Sequence, residues 1–251
     1  MKVFLIVMLL LCTGLSLMAR ADIAITFGAP GGGDELTIMT VIGQKAAMGM
    51  KSPDGRDGRL VYDADADKLL MVMDGEKQYM DMDQMMQQMS GLSNMLSGMM
   101  QNMPEGTKSK LQGLFGEGKK NQPDQAQMVK TGKNDNVAGI DCEIVQFSSA
   151  MSSSELCLAD PGDAGITTAD FRVLKGMMEK QQQMAQKASQ MMGAGSMSFG
   201  PTDMNQIPVR SRQLSGPAAG TTMELVGVFE NVDPAATNIP ADYQPMAMPG
   251  G

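Results

Sequence analysis

The sequence predicts an α+β domain built on an antiparallel sheet with two helical insertions. Short alternating apolar runs separated by Gly, Asp and Pro turns supply the sheet. Two longer stretches repeat their apolar residues on a three-four rhythm and supply the helices. The resulting order of strands, helix, strands, helix, strands lacks the regular alternation of an α/β fold.

Residues 1–21 read as a secretory signal peptide. Lys2 gives the positive start, Val3 to Met18 the apolar run, and Ala19-Arg20-Ala21 a small-x-small cleavage site. The mature chain is then expected to start at Asp22, with no retained membrane anchor, in a periplasmic or secreted setting. Loss of Lys2 and Arg20 moves the net charge from −8 to −10.

Strands are expected over 22–27, 35–42, 44–51 and from Arg59 to Tyr62. Leu69 to Met73 and Lys77 to Met82 read as a hairpin closed by Asp74-Gly75, the dipeptide of a two-residue type I′ turn. Asp63, Asp65 and Asp67 imitate a calcium loop, but Lys68 stands where its glycine is required and Asp74 where its glutamate is required. A solvated turn is the expectation there.

The first helix is expected over about 83–103. Met82, Met85, Met89, Leu92, Leu96, Met99 and Met103 fall within about a quarter of its circumference, and Met86, Met95 and Met100 widen the stripe. No charged residue occurs from Gln84 to Pro104. Residues 104–124 are polar and rich in Gly and Lys. Gly113 to Lys119 resembles a phosphate-binding loop, but Lys120 replaces its Ser or Thr and no buried strand precedes it.

Strands resume over 127–131, 137–147 and 155–158, with a bend at Gly139. Cys12 leaves with the signal peptide, so Cys142 and Cys157 are expected to pair across a hairpin centred on Ser149 and Ala150. The second helix is expected over 168–192. A capping box of Thr167 and Asp170 opens it, Phe171, Leu174, Met178, Ala185, Ala188 and Met192 form its stripe, and Met177, Met184 and Met191 repeat at seven. Strands over 207–214 and 221–230 follow. Pro240 to Tyr243 is expected to close a single domain spanning 22–244, and 245–251 to form a disordered tail.

Composition removes whole classes of chemistry. The 251 residues include no His, which excludes His-based hydrolases and imidazole zinc sites. A negative chain without long basic clusters is a poor match for nucleic acid. No pair of carboxylates can be placed in a cleft, so the chain is expected to be no enzyme and to need no cofactor.

Three pieces carry a resemblance: LVYDADADKLLMVMDGEKQYMDMD from Leu60, VAGIDCEIVQF from Val137 with SSSELCLAD, and IPVRSRQL from Ile207 with the later IPADY. They resemble the uncharacterised secreted bacterial family DUF4412, and the order of elements is similar to that of the lipoprotein-carrier superfamily. The resemblance implies a curved sheet, an incomplete barrel, with helices on its concave side, and an acyl chain or lipidated protein held between them. It implies no catalytic residue.

Methionine is the residue type that the function must explain, since the chain has 29 and no Trp. A Met face at helical spacing fits plain core packing. It also fits a soft surface for an apolar ligand, lipid or lipidated partner, for which the candidates are Met82, Met85, Met89, Leu92, Leu96, Met99, Met103, Met178 and Met192. A further alternative is thioether binding of Cu(I) by Met80, Met82, Met85, Met86 and Met89, because soft sulfur selects that ion.

Overall fold

The computed structural model describes residues 22–31, 36–51, 57–101, 127–148, 152–192, 205–230 and 232–246. The expected signal peptide and the Gly-Lys segment lie outside them. Among the described residues, twelve strands form one open sheet in the order β12-β6-β5-β4-β3-β2-β1-β11-β10-β9-β8-β7. The chain therefore folds as two meanders. One runs outward from β1 (Ile23–Gly28) through β2 (Thr37–Ile42), β3 (Lys45–Lys51), β4 (Asp57–Asp63) and β5 (Lys68–Met73) to β6 (Gln78–Asp81). The other runs inward from β7 (Gln127–Val137) through β8 (Ile140–Ser148), β9 (Ser153–Ala159) and β10 (Ile207–Ser215) to β11 (Thr222–Glu230). They join where β1 pairs antiparallel with β11. This is an open α+β sheet with two helices, consistent with a curved one.

Helix α1 spans Met82–Gln101 and starts directly from β6. The Asp81 carboxylate accepts from the backbone N–H groups of Asp83 and Gln84 at 2.9 and 3.3 Å, satisfying two orphan donors of the first turn. Helix α2 spans Thr168–Met192. Its N-terminus is the expected capping box: the Thr167 hydroxyl meets the Asp170 carboxylate at 2.6 Å and accepts from the Asp170 N–H at 3.2 Å. α2 lies over β2, β3 and β5, while α1 contacts β5, β6 and α2.

The main core sits between α2 and the sheet. Val173, Leu174, Met177 and Met184 of α2 cluster with Ile23, Ile25, Val41, Ala46, Tyr62 and Leu69 of the first meander and with Cys157 and Val209 of the second. On the other face, Ala47, Val61 and Val72 are covered by Tyr79, Ile239 and Tyr243. Arg59 fixes that cover, donating to the carbonyls of Ala235 and Asn238 at 3.1 and 2.9 Å.

Four local expectations need correction. The Asp74-Gly75 connection is a 3-10 turn over Asp74–Glu76 with Lys77 left-handed at φ 52°, and Met73 pairs with Gln78. Asp74 is held there by the Tyr243 hydroxyl at 2.9 Å, a tertiary contact absent from any hairpin rule. Residues 137–147 are two strands, not one. Ala138 and Gly139 take φ of 53° and 87°, as a type I′ turn requires.

The disulfide Cys142–Cys157 is present, with a Cα–Cα distance of 5.3 Å. Its hairpin is in another register: Cys157 faces Ile144, so the sulfur bridge joins diagonal neighbours. Tyr243 leads into the last strand. The strand β12 is Gln244–Pro245, parallel to β6. The expected tail likewise begins inside the fold, since the Met246 N–H donates to the Tyr79 carbonyl at 2.8 Å.

Candidate functional site: a methionine-lined sheet face

Antiparallel register places directly opposed residues on one face, with Cβ atoms about 4.5–5.5 Å apart. Following partners across the first meander gives successive rows on the face that α2 covers. The first row is Ile23, Val41, Ala46, Tyr62 and Leu69. Every member is buried, and none is methionine.

Two residues further along the strands lies the second row: Ile25, Met39, Met48, Leu60, Met71 and Met80. Ile25 is fully buried, but the other five are only half-buried. A third row holds Met50, Gly58, Met73 and Gln78. Gly58 has no side chain, so nothing from β4 rises between Met50 and Met73. These rows form a half-open apolar face beside the helices, made of unbranched, polarizable thioethers with three rotatable bonds each.

The helical candidates border this face unevenly. Met82 and Met85 are half-buried, Met86 is buried, and Met89 is 39 % exposed. Among the described side chains of α1 only Met86 is buried, at one edge of the expected stripe, near where the helix leaves β6. Met95 is exposed. The side chains of Leu92, Leu96 and Met99, and all of Met103, lie outside the described residues. Met178 on α2 is half-buried, and the Met192 side chain lies outside the described set. Met177 and Met184 point into the core.

Sequence reasoning missed Met39, Met48 and Met50. The M-x-M spacing of Met48-Gly49-Met50 was the available signal, because a strand puts alternate residues on one face.

One polar cluster ties the helices to this region. The Lys180 ammonium of α2 pairs with Asp83 of α1 at 3.0 Å and with Asp67 in the β4–β5 turn at 3.1 Å. The Tyr62 hydroxyl donates to Asp67 at 3.3 Å. Burial and then the Asp67 carboxylate hold the Tyr62 phenol above its ordinary value. Asp63, part of the calcium-like triplet, instead accepts from the N–H groups of Asp65 and Ala66, both at 3.1 Å. No group of three His, Cys, Asp or Glu able to hold a metal occurs among the described residues.

The second meander carries a different surface. Asp135, Ile144, Glu155, Arg210, Arg212, Thr222 and Glu224 line a shallow basin of about 470 Å³. Arg210 spans it to Asp135 at 2.7 Å, and this guanidinium holds the Asp135 carboxyl below the usual carboxylate range. No helix among the described residues is long and apolar enough to cross a membrane.

A family model described as a domain of unknown function, DUF4412, matches residues 109–243. No curated protein matches the chain. Among solved structures, a structure of PNGF-II in the C2 space group is similar at 6 % identity and a TM-score of 0.40, over 87 % of this chain and 30 % of that one. A second, in the P21 space group, is similar at 7 % identity and a TM-score of 0.39, over 85 % and 29 %. The chain spans less than a third of the length of either.

Proposed function

The chain belongs to the DUF4412 family, and we propose that it is an exported, non-enzymatic protein that holds an apolar ligand against its methionine rows. The occupant is an acyl chain, a lipid or a lipidated partner. The observation that carries this reading is the change between adjacent rows. The first row is sealed under α2, whereas the second and third stay half-open although nearly all their side chains, Gln78 apart, are apolar.

Half-open apolar surface gains by acquiring a cover, at about 25 cal/mol per Å² removed from water. An acyl chain contributes about 0.8 kcal/mol per buried CH₂, so ten buried methylenes bring about 8 kcal/mol before the costs of binding. Thioether rows can repack around guests of different shape, which suits a carrier more than a selective pocket. The resemblance of the element order in the sequence to the lipoprotein-carrier superfamily also supports the reading.

The test is direct. A fluorescent fatty acid is titrated into the protein, and co-purifying small molecules are identified by mass spectrometry. The paired variant Met48→Gln, Met71→Gln keeps side-chain length but adds an amide to the face. It should weaken uptake at least about tenfold while the unfolding transition survives. Equal uptake by the variant would overturn the reading.

A further inference from the structure

We propose that the outer half of the first meander holds a thioether site for Cu(I), formed by Met71, Met73 and Met80 and completed from the β3 side by Met50. Three observations carry it, none of which depends on the acyl-ligand reading. First, methionine is absent from the sealed row and abundant in the half-open ones. The buried positions use Ile, Val, Ala, Tyr and Leu, residues that suit a packed sheet. Six methionines, Met39, Met48, Met50, Met71, Met73 and Met80, begin where solvent can reach. Met177 and Met184 of α2 fill the core, and Met39 and Met48 pack against its edge, whereas Met50, Met71, Met73 and Met80 are half-buried and belong to no core cluster, so packing does not account for these four.

Second, the register brings sulfur-bearing chains together from two strands. Met71 is directly opposite Met80, and Met73 stands two residues along β5 on the same face. Direct and diagonal neighbours on one face lie within reach of long side chains. Third, Gly58 stands between Met50 and Met73. The empty position lets thioethers from β3 and β5 approach above β4. A Cβ there would lie 3.1 Å from the Val72 carbonyl oxygen, so any larger residue would also press on the backbone.

The ligand chemistry names the ion. Neutral thioethers are soft donors and select Cu(I) over hard or borderline divalent ions. The described residues offer no competing cluster of His, Cys, Asp or Glu. The copper arrives and leaves as Cu(I), so no electron transfer is involved.

The full chain is titrated with Cu(I), without oxygen and under reductant, against a chromophoric Cu(I) chelator. We expect one ion with a dissociation constant at or below about 1 μM. The triple variant Met71→Leu, Met73→Leu, Met80→Leu keeps the volume and apolarity of the face, and should bind at least about a hundredfold more weakly. The singles Met73→Leu and Met50→Leu should each lose about tenfold and serve if the triple variant fails to fold.

Met95→Leu, on the exposed side of α1, should change nothing. X-ray absorption of the loaded protein should report sulfur-only ligation. Binding weaker than about 1 μM, or equal binding by the Leu variants, overturns the site. Fatty-acid uptake should persist in the Leu variants, so failure of the copper site and failure of the acyl reading are separable.

Discussion

Lys180 of α2 and Asp83 of α1 meet at 3.0 Å, and this contact fastens the two helices to each other above the β4–β5 turn. The Lys180 side chain is only 11 % exposed, and Asp67 accepts a further hydrogen bond from it at 3.1 Å. Burial alone would lower the ammonium pKa. The hydrogen bonds that it donates to Asp83 and Asp67 outweigh it, and the net shift is upward.

Removing that ammonium should loosen α1. Lys180→Met is expected to cost about 1–2 kcal/mol, between the losses typical of exposed and of buried ion pairs. The pH dependence has a definite sign. A raised pKa contributes stability that is complete below the unfolded value near 10.5 and is lost as pH rises through the higher folded value. Thermal midpoints measured from pH 8 to 12 should therefore fall at the alkaline end in the parent chain, and fall less in Lys180→Met.

Opening the Cys142–Cys157 bridge should destabilise the fold by about 3 kcal/mol, the chain-entropy figure for a loop of 15 residues. Urea unfolding of the Cys142→Ser, Cys157→Ser variant is the measurement. Because the bridge joins diagonal neighbours on β8 and β9 and sits in the main core, the loss should be global rather than confined to that hairpin.

Ala138 carries a left-handed φ of 53° in the turn between β7 and β8, where a Cβ is disfavoured. Ala138→Gly, and more modestly Ala138→Asn, should stabilise the chain by about 0.5–1 kcal/mol. A shift of the thermal midpoint upward is the expected readout. A downward shift would show that the Ala138 methyl contributes contacts worth more than the strain.

Gly176 lets α2 settle onto the Tyr62 ring. A Cβ at this position would stand 2.9 Å from the Tyr62 hydroxyl oxygen and 3.0 Å from a ring carbon. Helix propensity alone would favour alanine by about 1 kcal/mol. Tyr62 is buried and hydrogen-bonded to Asp67, so it cannot swing aside, and Gly176→Ala should instead destabilise by about 1–2 kcal/mol. Combining it with Tyr62→Phe removes the nearest atom and should recover part of the loss, which a double-mutant cycle measures.

Local signals in the sequence carry the elements well and the site poorly. Thr167 and Asp170 mark the start of α2, and the alternating runs mark most strands, because capping and alternation act over a few residues. The cysteine pair follows from arithmetic, but its diagonal register depends on how β8 and β9 slide past each other. The buried edge of α1 at Met86 rather than Met89 depends on the direction in which the helix leaves β6. The methionine rows are the extreme case. Met39, Met48, Met71 and Met80 lie on four strands and form one line only after four registers are fixed. No window of sequence contains that line.

Strand β1 lies between β2 and β11, so the earliest strand of the sheet finds its second neighbour only at residues 224–230. During synthesis, one flank of Ile23–Gly28 must wait, unsatisfied, until residues 224–230 have emerged. A contact so distant in sequence makes assembly slow. It also gives truncated chains a sticky seam: a product ending before Thr222 would keep that flank open to any passing extended segment.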